Sequence, residues 1–319
     1  MTKVFLATAL VTGGILCAAQ GPAALPGAKP VPELQAVPLP YGRVSFQLRG
    51  KELTRYHAGG DLRRPFLFPV LGPSGRSLTR MGHPHDPVTH SHHNSVWISH
   101  HNVGGVDFWT DRGGRIICER IERFEDGDRE AALTSLNAWC APDGRRLLWD
   151  RRRIAVRTLG NGEYLIIVDL LFFPPAQSSV TLGKTPFGCI GVRVAKTIGV
   201  SDGGGLIRNS RGQVNEPAAF RKKARWVDYS GPITRNAVEG LTLMDHPINP
   251  GHPAVFHVRN DGWMGACLTY SAPLVIRPGR GLRLRYGLYV HAGLPDLPAI
   301  EEVWKRFKSL KLPELRPGK

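Results

Sequence analysis

Cysteine is scarce in this 319-residue sequence, with five in all and none in a C-x-x-C spacing. A zinc knuckle and a thioredoxin-like redox motif therefore have no support. The sequence also lacks a Gly-x-Ser-x-Gly elbow, a phosphate-binding loop, a dinucleotide fingerprint and a His-Glu-x-x-His pair. Those absences remove the usual signatures of serine hydrolases, kinases, dehydrogenases and zinc peptidases. Beyond the N-terminal segment no apolar run is long enough to cross a bilayer as a helix. Acidic residues are few: 26 Asp and Glu against 42 Lys and Arg leave a formal charge of +16. Such an excess suits nucleic acid, an anionic polysaccharide or an acidic cell surface. Only Arg151-Arg152-Arg153 and Arg221-Lys222-Lys223 form runs, and no aromatic ladder separates them. The pattern reads as a dispersed, solvated Arg-rich surface and argues against a nucleic-acid partner.

The N-terminus carries the pattern of an export signal. Lys3 supplies a positive start, Val4 to Cys17 is uncharged, and Cys17-Ala18-Ala19 places small residues for cleavage after Ala19. Leu16 before the cysteine disfavours lipidation. Residues 1–19 are thus expected to be a signal peptide, residues 20–40 a flexible Pro/Ala-rich linker, and residues 41–319 a single domain. The expected location is periplasmic or extracellular, with no integral membrane segment after cleavage. There Cys118, Cys140, Cys189 and Cys267 could pair as disulfides or remain buried thiols.

What the sequence has in quantity is turn residues, 37 Gly and 26 Pro, between short apolar runs. Val44 to Leu48 alternates as a half-buried strand does. Further runs at 65–71, 95–101, 116–124, 131–139, 145–157, 164–173, 189–195, 241–244, 254–258, 264–269 and 282–291 predict strands, with 164–173 central. Glu125 to Asp128 and Pro142-Asp143-Gly144 read as hairpin turns. Only the end is helical: Ile300, Val303, Trp304, Phe307 and Leu310 share one face, with Glu301 and Glu302 early and Lys305, Arg306 and Lys308 late. The expected fold is mainly β, a large antiparallel two-sheet sandwich with a short C-terminal helix.

Eight of the twelve histidines lie between His57 and His101, most densely from His83 to Asn94. Imidazole is the common acid–base group and metal ligand near neutral pH. Three readings stay open for this cluster: a divalent-metal site, metal-free acid–base chemistry or binding, and structural hydrogen bonding. For a metal, His90 and His92 share a face of an extended segment, so a further ligand such as His246, His257 or His291 has to come from elsewhere. Asp107 follows a Gly-Gly turn and is able to orient a histidine or accept from a sugar hydroxyl. Trp97 and Trp109 offer rings either for a sugar or for the core. A second polar group, Asp245 to Pro253 with Asn249, sits in a loop pinned by three prolines and leads to His257. Lys184 and Arg193 bracket a third, and Arg193 stands in a strand-like run where a charge needs a partner or a ligand.

Several segments, in order, resemble the PmoA-like family of exported proteins, which carries the label "methane oxygenase PmoA". They are Arg64-Pro-Phe-Leu-Phe-Pro, His90-Ser-His-His-Asn-Ser-Val-Trp, Gly105-Val-Asp-Phe-Trp, Gly191-Val-Arg-Val, the run from Arg221 to Gly231, Asp245-His-Pro-Ile-Asn-Pro and His257-Val-Arg. Thr89 and Asn94 depart from the family pattern, which has an acid and a base there, and Thr185 stands where the family has a Glu after Lys184. The label implies a membrane oxygenase subunit, which this chain's lack of spans does not fit. More distantly, the strand-rich pattern is similar to the galactose-mutarotase-type supersandwich. That likeness implies a sugar site in a sheet concavity built from His, Arg and carboxylates.

The expectation is an exported carbohydrate-active protein, an enzyme of epimerase, lyase or hydrolase type acting on a sugar or oligosaccharide. His92, His93 and His246 would move protons, with Asp107 and Asp245 orienting them. Lys184, Arg193, Trp97, Trp109, Asn249 and His257 would bind substrate. A non-catalytic carbohydrate-binding protein of the envelope is the first alternative. A metal-dependent oxidase or lyase holding its ion on His90, His92 and His246 is the second.

Overall fold

The computed structural model describes residues 30–317, so the expected signal peptide and the first half of the expected linker lie outside the described residues. Pro32–Lys319 is one compact unit. Its strands, in chain order, are β1 (Leu34–Leu39), β2 (Arg43–Leu48), β3 (Lys51–His57), β4 (Phe66–Val70), β5 (Val96–His100), β6 (Arg115–Glu125), β7 (Glu130–Cys140), β8 (Arg146–Gly160), β9 (Glu163–Phe173) and β10 (Val180–Leu182). They continue as β11 (Gly188–Arg193), β12 (Leu206–Asn209), β13 (Lys222–Lys223), β14 (Trp226–Thr234), β15 (Ala237–Asp245), β16 (Val255–Arg259), β17 (Trp263–Cys267), β18 (Leu274–Ile276) and β19 (Leu282–Ala292). Two short helices, α1 (Val200–Gly203) and α2 (Asn215–Ala219), and the longer α3 (Leu297–Ser309) complete the fold.

Two large antiparallel sheets form the expected sandwich. One has nine strands in the order β1-β2-β3-β4-β5-β11-β17-β16-β13, the other eight in the order β12-β14-β15-β19-β9-β8-β7-β6. A core of Val, Ile, Leu and Phe, with Tyr56, Trp139 and Tyr286, fills the space between them. The stretch 34–39, expected to be linker, is instead the edge strand β1, hydrogen-bonded to β2 over its full length. Leu34 and Ala36 on it are buried and close one end of the core.

β9 is buried along both faces, which is why it reads as an unbroken apolar run. Its inner face meets the other sheet, and its outer face carries Leu165 and Ile167 beneath Ile300, Trp304 and Phe307 of α3. The Asp296 side chain caps α3 by accepting from the Ala299 N–H at 2.7 Å. Arg151-Arg152-Arg153 is not the free basic surface expected. Strand alternation turns Arg152 inward onto Asp150 at 3.1 Å, while Arg151 and Arg153 face outward onto Glu122 and onto Glu125 and Glu130. All four described cysteines are free thiols.

Candidate active site

On the outer face of the nine-stranded sheet lies a cleft of about 410 Å³ above β5, β11, β17 and β16. Strand register sets its floor. Trp97, Gly191, Gly265 and His257 are successive cross-strand partners, and Arg193, Trp263 and Arg259 form the next row. The two glycines let indoles lie flat. A Cβ on Gly191 would meet the Trp97 ring at 2.6 Å, and one on Gly265 the Trp263 ring at 2.7 Å and the Ile190 carbonyl at 2.9 Å. Trp97, Trp109, Trp263 and Phe66 pack as one aromatic cluster, with Phe187 stacked on Trp109 at 6.0 Å. Gly265→Ala is therefore expected to cost about 1–3 kcal/mol and to shift tryptophan emission, because the backbone carbonyl cannot yield with the ring. Unchanged emission with an unchanged Tm would contradict this packing.

The walls come from the His-rich loop. Gly82 N–H donates to the His93 carbonyl at 2.8 Å, closing the segment on itself and bringing His83, His90, His92 and His93 together. Their ring centroids lie 4.6 Å apart for His92 and His93, 4.8 Å for His83 and His90, and 5.0 Å for His90 and His93. Arg64 anchors this loop. It is 1% exposed, and its guanidinium donates to the His92, Phe108, Trp109 and Thr110 carbonyls and to Asn94 and Asp111 at 2.6–3.2 Å.

Hydrogen bonds fix two tautomers. His83 Nδ1 accepts from the His85 and Asp86 N–H groups, so its Nε2–H donates to Asp261 at 3.0 Å. His90 Nδ1–H donates to the Asp86 carboxylate at 2.9 Å, which leaves Nε2 as the acceptor. The Thr89 side chain and N–H hold the Asp86 carboxyl low, at about 2. Asp261 also takes Arg193 Nη1–H at 2.9 Å. Burial pushes the Asp261 carboxyl up, and Arg193 and His83 outweigh it, so it stays below the ordinary carboxylate range. The Nε and Nη2 of Arg193 have no partner among the described residues, although its side chain is fully buried.

Three imidazoles are held neutral. Burial, then the nearby Arg64, lowers His92 to about 4. Burial, then Arg221 and Arg259, lowers His257 to about 4. Burial, then His92 and Arg193, drives His93 well below the ordinary histidine range. His93 stacks on Trp97 at 5.4 Å, and His257 meets Trp263 edge-on at 4.5 Å. The Nδ1 atoms of His93 and His257 are buried without partners among the described residues.

Of the expected site residues, His90, His92, His93, Arg193, Trp109 and His257 meet at one cleft. The other expected site residues do not. His246 lies under α3, where its ring bonds the Lys308 carbonyl at 3.2 Å and abuts Phe307. The expected ligand set of His90, His92 and His246 is therefore not assembled, and among the described residues no three His, Cys, Asp or Glu side chains are placed to hold a metal ion. Asp245 is consumed by His252, Asn249 and the Ala254 N–H, and Asn249 by both backbone groups of Arg285. These bonds pin the proline loop as structure. Asp107 accepts from the Trp109 and Thr110 N–H groups, so it shapes the turn that presents Trp109 and does not face the cleft. Trp97 lies beneath His93 and is part of the foundation. Lys184 lines a neighbouring pocket. Asp86, Asp261, Trp263 and Phe187 were not foreseen. Asp261 sits in an Asn-Asp-Gly hairpin turn, where an acid reads as a turn former.

Residues 43–305 match the family of unknown function DUF6807. The chain belongs to that family. Its description names no activity, and the comparisons give no support to the PmoA-like label. No curated protein matches the sequence. Among solved structures, this DUF6807 chain is similar to a heparan sulfate lyase HepC mutant from Pedobacter heparinus, with 12% identity and a TM-score of 0.37 over 80% of this chain and 36% of that one. It is also similar to a protein from the human microbiome assigned as a kojibiose phosphorylase, with 10% identity and a TM-score of 0.35 over 88% and 37%. The chain spans little more than a third of those two structures. Likenesses this distant assign neither substrate nor reaction.

Proposed function

We propose that this DUF6807 protein is an exported carbohydrate-active enzyme whose His-lined cleft binds a sugar and performs acid–base chemistry on it. One observation carries the reading: neutral imidazoles surround an aromatic floor beside a buried guanidinium with spare N–H groups. A pyranose has an apolar C–H face, which suits the Trp263 and Trp109 indoles, and a rim of hydroxyls, which suits His92, His93 and His257. His90, oriented by Asp86, presents Nε2 as the proton acceptor. Arg193, held by Asp261, is placed to stabilise negative charge on a substrate oxygen as that proton leaves.

The test follows new reducing ends and sugar-ring proton signals while the purified protein is incubated with neutral and acidic oligosaccharides. The expected result is turnover of one class, lost by about 100-fold or more in His90→Gln while sugar affinity stays within a few-fold. Binding without turnover in the wild type would favour the non-catalytic envelope protein. Absence of both would end the sugar reading.

A further inference from the structure

Next to the cleft lies a second pocket, of about 450 Å³, lined by Lys184, Thr185, Pro186, Arg221, Tyr270 and Ser271. Aromatic rings join the two. Phe187 stacks on His257 at 5.5 Å, and Phe220 meets His257 edge-on at 4.9 Å. Arg259, on the cleft side, and Arg221, on the pocket side, both lie over the Phe220 ring, at 5.9 and 4.8 Å. Arg221 also reaches over Tyr270 at 5.9 Å. The ridge between the pockets is fixed by Cys267, whose thiol donates to the Pro186 carbonyl at 2.8 Å, and by the Thr185 N–H bond to the Thr269 carbonyl.

Among the described residues no acidic side chain lines this second pocket and no ion pair neutralises Lys184 or Arg221. Nearby Arg225 and Arg259, by contrast, are paired with Glu301 and Glu216. Arg221 also holds a left-handed backbone, φ 56°, while its N–H bonds the Phe256 carbonyl at 2.9 Å. A bulky residue kept in that region is over-determined by its surroundings, a pattern that clusters at ligand clamps. In the cleft itself, Asp261, the one carboxylate lining it among the described residues, is already shared by Arg193 and His83.

We infer that the substrate is an acidic oligosaccharide spanning both pockets, with one sugar on the Trp263 floor and the carboxylate or sulfate of its neighbour between Lys184 and Arg221. This rests on the cleft being a sugar site. Lys184 and Arg221 offer charged donors to one anionic group, and the Ser271 and Tyr270 hydroxyls add donors for the same group.

Calorimetric titration of the whole protein tests this with galacturonate, trigalacturonate, sulfated maltotriose and unsulfated maltotriose. One of the two acidic trisaccharides should bind about tenfold or more tightly than maltotriose, and which one does so separates carboxylate from sulfate. Lys184→Gln/Arg221→Gln should erase that advantage, bringing the acidic trisaccharide down to the affinity of maltotriose. Arg76→Gln/Arg235→Gln, which removes two exposed cations elsewhere, should keep it. Equal loss in both double variants, or no loss in the first, overturns the inference. Equal binding of acidic and neutral trisaccharides overturns it too, but leaves the sugar cleft standing. No binding of any sugar overturns both.

Discussion

Replacing Arg64 with methionine is expected to cost on the order of 3–5 kcal/mol of folding stability and to abolish ligand binding at the cleft. Arg64 is almost fully buried and supplies donors to six acceptors drawn from two loops, residues 92–94 and 108–111. Removing the guanidinium strands the His92, Trp109 and Thr110 carbonyls, leaves the Phe108 carbonyl to Ser99 alone and takes the ion-pair partner from the Asp111 carboxylate. The same two loops present His92, His93 and Trp109, so the loss reaches the site directly. Lysine should not rescue. A compact ammonium has three donors and no planar fork with which to reach acceptors spread across two segments. Urea denaturation gives the stability, and sugar titration the function. A methionine variant within about 1 kcal/mol of wild type would show that the loops hold without this clamp.

Much of the fold is legible in the sequence because its signals are local. β2, β4 to β9, β11, β15 to β17, β19 and α3 follow from apolar period and turn residues alone. β3 and β14, which escape, have polar residues at buried positions. β3 buries Thr54 and Tyr56. β14 buries Asp228 and Ser230, and Asp228 is satisfied by His291, Arg208 and Thr242, far apart in sequence. No window of sequence contains those partners, so the strand reads as a polar loop.

The site divides along the same line. The His-rich loop stands out by density, and Arg193 by being a charge in an apolar strand. The Asp245 loop looks equally chemical, yet its Asp245, His246 and Asn249 side chains find partners within the loop, under α3 and beside β19. Satisfied and unsatisfied polar groups look alike in a sequence. In three dimensions, buried atoms without partners at His93, Arg193 and His257 mark the cleft.

Those imidazoles tie stability to pH. His92 and His257 titrate near 4 when folded, against about 6.5 in the unfolded chain. Between those values the unfolded chain takes up protons and the folded one does not, so stability falls as pH is lowered through the window. Taken to pH 4.5, each histidine removes roughly 2–3 kcal/mol relative to neutral pH. His93 acts in the same direction. Below about 4 the folded His92 and His257 also protonate, and their contribution levels off. Chemical denaturation at pH 7.5 and 4.5 measures this against His92→Gln/His257→Gln. The glutamines should flatten the decline by roughly 5 kcal/mol, whatever they do to stability at pH 7.5. Sugar binding should stay level from pH 8 to about 5 and fail as His92 and His257 become cationic beside Arg64, Arg221 and Arg259. Identical declines in wild type and variant would mean that the cleft is wet enough for these histidines to titrate as they do in water, and neutral imidazole chemistry there would have no physical basis.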